Sequence, residues 1–207
     1  MWPKRLLNKR LIDTFFLREA KWSESHGATP GHLGGGLLYY SIVYSLRVRR
    51  CVCIGSGGGF VPRMIRQAQR EMGGDRETHL IDADLPEVGW GNPMWLSKKS
   101  FFRKNFPDII LHLDKSENVL PTFEKNSLDY IHIDGDHSYE GCKADFELSL
   151  PLLAPDGVMT LHDTRSHHQD ERCGVHRVVE EARAANFDVV DLTSLGCGVA
   201  IIRPRAA

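Results

Sequence analysis

The chain has 207 residues, 42% of them hydrophobic, enough for one α/β domain with a sizeable core. Lys and Arg number 26 against 27 Asp and Glu, and the resulting net charge of −1 argues against nucleic acid or an anionic membrane surface as a partner. No apolar run reaches the ~20 residues of a membrane span, the basic start lacks a signal-peptide core, and the five cysteines form no C-x-x-C pair, so a cytoplasmic chain with reduced thiols is expected.

In chain order, Leu6, Leu7, Leu11, Ile12, Phe15 and Phe16 recur at helical spacing and predict an amphipathic helix from about Lys4 to Trp22. A Gly- and Pro-rich loop follows from Ser25 to Gly36, with His26 and His32 placed to close over a site. Leu37–Leu46 then reads as a helix or buried segment. Residues 1–45 thus form an N-terminal extension, a lid or a packing segment, ahead of a domain at 46–207.

From "RCVCIGSGGG" onward, strand and helix patterns alternate: "VPRMIRQAQREM" a helix, "THLIDAD" a strand, "DIILHLD" a strand, "SENVLPTF" a short helix. "LDYIHID" and "GVMTLHD" are strands, and "YEGCKADFELSLPLL" and "GVHRVVEEARAAN" are helices. Such alternation predicts a doubly wound, mostly parallel α/β sheet covered on both faces. The last two strands, "FDVVDL" and "GVAIIR", are separated only by Thr193–Cys197. A parallel crossover needs about a dozen residues, so this pair is an antiparallel hairpin.

Polar residues gather where each parallel strand ends. The first strand runs into Gly55-Ser56-Gly57-Gly58-Gly59 and the second ends at Asp82 and Asp84. The third ends at Asp114, Lys115 and Ser116, the fourth at Asp134, Asp136 and His137, the fifth at His162, Asp163 and Thr164. Ligands of open parallel sheets bind outside these carboxyl ends, so the residues converge on one rim. A glycine loop lets a ligand approach the backbone, and Asp82 suits the two hydroxyls of a ribose. Phe60 stands where the dinucleotide pattern G-x-G-x-x-G needs its last glycine, which counts against an NAD(P)-dependent oxidoreductase. That enzyme class and a non-catalytic cofactor-binding module stay open as alternatives.

"VCIGSGGG", "THLIDAD", "IHIDGDHSYEGCKADFE" and "GVMTLHDT", in that order, resemble the motifs of class I S-adenosylmethionine-dependent methyltransferases. Among these they are most similar to small-molecule O-methyltransferases, and the resemblance runs from about Leu46 to Arg203. It implies a Rossmann-like seven-stranded sheet with its last strand inserted antiparallel, S-adenosylmethionine as methyl donor, and a hydroxylated small molecule as acceptor. A second copy of the chain is left open as a partner. By the same resemblance Gly55, Ser56 and Gly57 wrap the methionine part of the donor, Asp82 binds the ribose, Ser116 lies at the adenine, and Asp134 sits at the transfer centre. Cys53 departs from the acid that the family places two residues before the first glycine.

Some related enzymes bind Mg²⁺ through acids after the fourth and fifth strands, positions held here by Asp134 and Asp163. Thr164, a poorer ligand, occupies the third position, so Mg²⁺ is left open. His137 stands where those relatives carry a basic lysine, and an imidazole titrating near neutrality suits a general base. His167, His168 and His176 follow the fifth strand and read as a solvated loop or as lining for the acceptor. The loop Leu85–Ser100, with Trp90 and Trp95, is expected to help choose the acceptor.

Overall fold

The computed structural model describes residues 8–83 and 96–205. Its centre is a seven-stranded sheet with β1 at Arg50–Ile54, β2 at Glu77–Ile81, β3 at Ile110–His112, β4 at Leu128–Ile133, β5 at Leu153–His162, β6 at Phe187–Leu192 and β7 at Val199–Pro204. The spatial order is β3-β2-β1-β4-β5-β7-β6. Strands β1 to β5 pair in parallel, while β7 runs antiparallel to both β5 and β6. The final hairpin is as expected, and its second strand is inserted between β5 and the edge.

The helices are α1 (Lys9–Leu11), α2 (Gly35–Ser45), α3 (Phe60–Met72), α4 (Phe101–Asn105), α5 (Ser116–Val119), α6 (Tyr139–Ser149) and α7 (Val175–Ala184). One core cluster joins Tyr39, Val43, Phe60 and Met64 of α2 and α3 to one sheet face, together with Ile12, Phe16, Ala28 and Leu33. The other joins Cys142, Phe146, Val178 and Val179 of α6 and α7 to the opposite face. Ser138 caps α6 through Oγ, which accepts from the Gly141 N–H at 3.1 Å. Pro151, which has no N–H to donate, falls in the short 3₁₀ turn Leu150–Leu152 that ends it.

Two expectations change. The long N-terminal helix is not continuous: α1 passes into a wider π turn at Ile12–Phe16, and a 3₁₀ turn at Ser23–His26 follows. Trp22 and Gly27, both with positive φ, bracket that turn and reverse the chain toward the sheet. The phenylalanine periodicity is real, but it serves packing under α3 and α4 rather than one long helix. In the segment before β3, α4 forms behind its cap Ser100, whose Oγ accepts from the Arg103 N–H. Trp90 and Trp95 lie outside the described residues.

Candidate active site

The alternation of a β-strand builds the site. On β4, Ile131 and Ile133 face the α6/α7 core, which leaves Tyr130 and His132 on the α2/α3 face. On β5, Met159 and Leu161 face the α6/α7 core, so Thr160 and His162 share that same α2/α3 face. The pairing of Ile133 with Leu161 then sets Asp134 beside His162 at the carboxyl ends. Asp163 follows with φ +64°, a left-handed conformation that few non-glycine residues adopt.

Asp134 is the centre of a dense polar cluster. His162 Nδ1 lies 3.0 Å from Asp134 Oδ1 and 3.0 Å from Asp163 Oδ2. His137 Nε2 lies 3.2 Å from Asp163 Oδ2 and 3.6 Å from Asp134 Oδ1. On its other side, Asp134 Oδ2 is 3.7 Å from His26 Nε2 and 3.8 Å from His132 Nε2. Both carboxylate side chains are more than nine-tenths buried.

The charges sort accordingly. Burial pushes the Asp134 carboxyl up, but His162, His132 and His137 outweigh it and hold the group well below the usual carboxylate range. Burial likewise opposes charge on His162, yet Asp134 and Asp163 raise its imidazole well above its ordinary value. Burial also opposes charge on His137, and again Asp134 and Asp163 raise it overall. His26 and His132 go the other way, because burial dominates and favours the neutral ring.

The glycine loop adjoins this cluster. Gly55 has φ +68°, and a Cβ there would lie 2.2 Å from the Asp134 carbonyl oxygen, so only glycine lets β1 and β4 end side by side. Ser56 is buried and its Oγ accepts from the Gly59 N–H at 3.1 Å, at the start of α3. Lys21 and Trp22 lie directly on the loop: Cβ atoms on Gly57 and Gly58 would meet the Trp22 ring at 3.0 Å and the Lys21 carbonyl at 2.6 Å. The buried Arg63 of α3 clamps the arrangement by donating to the carbonyls of Gly58 and Gly59 and to those of Phe15, Phe16 and Arg18. Cys53 is a buried thiol whose Sγ donates to the Gly55 carbonyl, with its pKa pushed up by burial. Asp82 ends β2 with its N–H on the His112 carbonyl, and the Ser116 hydroxyl donates to Asp145.

Of the residues expected at the site, Asp134, His137 and Asp163 come together, with Gly55 adjoining. Thr164 turns away, its hydroxyl donating to Asp191 Oδ1 at 2.8 Å. His32 is exposed in a turn, paired through Thr29, and does not close over the cluster. His167 and His176 stack at 3.8 Å beside His168 in a surface depression with Arg165 and Glu180. His132 was readable from the sequence as a polar residue between Ile131 and Ile133, two positions before Asp134. His26 was readable only as one histidine of a loop, because its place depends on the chain reversal at Trp22.

Mg²⁺ takes an oxygen ligand set. Here imidazole nitrogens flank the Asp134 and Asp163 carboxylates, and the Thr164 hydroxyl is committed to Asp191. That donor set does not fit a hard cation.

A family model described as a methyltransferase domain matches residues 52–164, more than half of the chain and the whole run from the glycine loop to Thr164. The chain belongs to that methyltransferase-domain family. Solved structures share its fold. One is the SAH-bound methyltransferase PaMTH1 of Podospora anserina, at 14% identity and TM-score 0.67, covering 92% of this chain and 88% of that one. Another is an O-methyltransferase of Bacillus cereus in complex with SAH, at 16% identity and TM-score 0.66, covering 99% and 93%. A third is the O-methyltransferase TomG of Streptomyces achromogenes in complex with SAM, at 14% identity and TM-score 0.65, covering 92% and 90%. An uncharacterised protein of Sinorhizobium fredii is 30% identical over 138 residues, 59% of this chain, and the chain spans only 14% of that relative's length.

Proposed function

We propose that the protein is an S-adenosylmethionine-dependent methyltransferase that methylates a hydroxyl group of a small molecule. The observation that carries this reading is the adjacency of two features at one sheet rim: the glycine loop of β1 and the Asp134–His137–Asp163 cluster of β4 and β5. Both lie within the segment that matches the methyltransferase-domain family.

When bound, S-adenosylmethionine supplies a methyl group on a sulfonium sulfur. Gly55, Ser56 and Gly57 hold its methionine part, Asp82 accepts hydrogen bonds from the ribose hydroxyls, and Ser116 lies at the adenine. The acceptor oxygen attacks the methyl carbon in line. The oxygen–carbon bond forms as the carbon–sulfur bond breaks, and the electron pair returns to sulfur. His137 takes the hydroxyl proton. An imidazole held at one nitrogen by a carboxylate, as Asp163 holds Nε2, accepts that proton at the other. Orientation supplies much of the rate, since the two reacting groups are held side by side. The transfer needs no step through Mg²⁺, given the imidazole-rich surroundings of Asp134 and Asp163.

Residues 8–45 serve as a packing segment that closes the site. The contacts of Lys21 and Trp22 with the glycine loop, and of His26 with Asp134, support this. Five unpaired cysteines, four of them buried, support a cytoplasmic setting. Among the described residues no helix is long and apolar enough to cross a membrane.

Calorimetric titration with S-adenosylhomocysteine tests the reading. Binding is expected, weakened at least about 10-fold in Asp82→Ala through the lost hydrogen bonds to two hydroxyls. An absence of binding by the wild-type protein would overturn it.

A further inference from the structure

The inner side of Asp134 is not used by the transfer described above, and it has a particular construction. Two imidazoles face its Oδ2, His26 from the N-terminal segment and His132 from β4, and His162 of β5 reaches Oδ1 next to them. All three are at most 2% exposed. Each ring is tethered at the nitrogen that points away from Asp134. His26 Nδ1 meets the Tyr39 hydroxyl at 3.0 Å, His132 Nδ1 meets Thr160 Oγ1 at 2.8 Å, and His162 Nε2 meets the Ser25 carbonyl at 3.2 Å. That leaves His26 Nε2, His132 Nε2 and His162 Nδ1 directed at Asp134, with His162 Nδ1 also 3.0 Å from Asp163 Oδ2.

Holding the far nitrogen on a protein oxygen is how a metal-ligating histidine is oriented and its tautomer fixed. The near nitrogens are spaced for the same task. His26 Nε2 and His132 Nε2 stand 3.7 and 3.8 Å from Asp134 Oδ2, too far for good hydrogen bonds. Donors sharing one tetrahedral ion at bonds of about 2.1 Å stand about 3.4 Å apart. Among the described residues His132 Nε2, fully buried, makes no well-formed hydrogen bond, its approach to Asp134 Oδ2 being 3.8 Å. Such an orphaned polar atom calls for an explanation, and an unplaced ion is one. The ligating atoms of His26, Asp134 and His162 all lie within 4.8 Å of one another.

We propose that His26, His162 and Asp134 form a binding site for a first-row transition ion such as Zn²⁺, buried behind the transfer centre, with His132 beside it. Two imidazole nitrogens and one carboxylate suit Zn²⁺, Co²⁺ or Fe²⁺ and disfavour Mg²⁺. Because His26 belongs to the turn between Trp22 and Gly27, the ion ties the N-terminal segment to the sheet. The site shares Asp134 with the transfer centre but rests on donor geometry alone, not on the methyl-transfer reading.

The test uses the tag-free, full-length protein, stripped with a chelator that is then removed. Titration with Co²⁺ should give visible d–d absorption saturating at one equivalent, undisturbed by millimolar Mg²⁺. His26→Ala should weaken binding at least about 10-fold. His137→Ala, on the outer side of Asp134, and the double variant His167→Ala with His176→Ala should leave it within about two-fold. If an inner-histidine variant fails to fold, X-ray absorption on the Zn²⁺-loaded wild-type protein decides. At least two imidazoles in the shell are expected. Fewer than two, no Co²⁺ binding, competition by Mg²⁺, or loss of binding in the His137 or His167/His176 variants would each overturn the proposal. S-adenosylhomocysteine titration of the same metal-free sample shows separately whether the transfer reading stands.

Discussion

The carboxyl ends of β1 and β4 lie side by side yet are built from opposite materials. The end of β1 is backbone: Gly55 and Gly58 lie too close to the Asp134 and Lys21 main chain to carry a side chain, and Gly57 packs against Trp22. The ends of β4 and β5 are charge: two buried carboxylates surrounded by four imidazoles. A surface of backbone N–H groups holds a ligand by shape and dipole, whereas a buried charge cluster holds or moves protons. Binding and chemistry should therefore come apart under mutation. The same N-terminal segment touches both ends, and it is the place where they can become coupled.

The largest effect is expected at the charged end. His137→Ala removes the proposed base and should lower kcat by about 10²- to 10⁴-fold. Its affinity for S-adenosylhomocysteine should stay within about two-fold, as measured by calorimetry. An equal loss in both quantities would show that the two ends are one unit.

Arg63→Ala comes next and attacks the coupling itself. The guanidinium is fully buried, burial lowers its pKa to about 10, and it donates to five carbonyls across the glycine loop and the N-terminal segment. Removing it leaves those carbonyls without their charged donor. Urea unfolding should show a loss of about 4 kcal/mol, since each bond to a charged donor is worth about 1.5–3 kcal/mol and partial relaxation recovers some of it. S-adenosylhomocysteine binding should weaken as well. Unchanged binding with lost stability would mean that the clamp serves the fold alone.

The two ends also differed in how far the sequence revealed them. The alternation of strands and helices, the short Thr193–Cys197 connection and the run of polar strand ends were enough to predict the sheet and its antiparallel strand. Gly55, Asp134, His137 and Asp163 were legible because they follow apolar strands directly, where local pattern decides position. His26 was not, for its role depends on contacts 108 and 136 residues away in sequence, with Asp134 and His162. Arg63 was hidden for a related reason: within an amphipathic pattern an arginine reads as solvent-facing, and only the N-terminal segment folding over α3 buries it. The expected helix up to Trp22 failed at Ile12–Phe16, where tertiary packing of Phe15 and Phe16 prevailed over local periodicity.

Asp145 of α6 lies against Gly135, next to the charged end, and offers a pH test. Its oxygens touch Ser116 and approach Gly135, and burial raises its pKa to about 6. A carboxyl raised from 3.8 keeps its proton in the folded state while the unfolded chain has lost it. The native state then binds more protons between about pH 4 and 6, so this group's contribution falls as pH rises through that window and stays unfavourable above it. Asp145→Asn keeps an acceptor for Ser116 without the charge. It should raise stability by about 2 kcal/mol at pH 8 and leave it nearly unchanged at pH 4, in urea melts at the two pH values. Equal effects at both would assign the change to packing instead.

The smallest effect is expected at Thr164, and it sharpens the comparison because Thr164 borders the charged end without belonging to it. Its hydroxyl donates to Asp191 of β6 and so ties the loop after β5 to the far edge of the sheet. Thr164→Val keeps the shape and removes one hydrogen bond, for a loss of about 1 kcal/mol in a urea melt. If the hydroxyl served the reacting groups or an ion beside Asp163, kcat would fall by at least about 10-fold with it. Because the hydroxyl points at Asp191, kcat should stay within about two-fold. The catalytic rim of β5 then ends at Asp163, and the residue after it holds the loop in place.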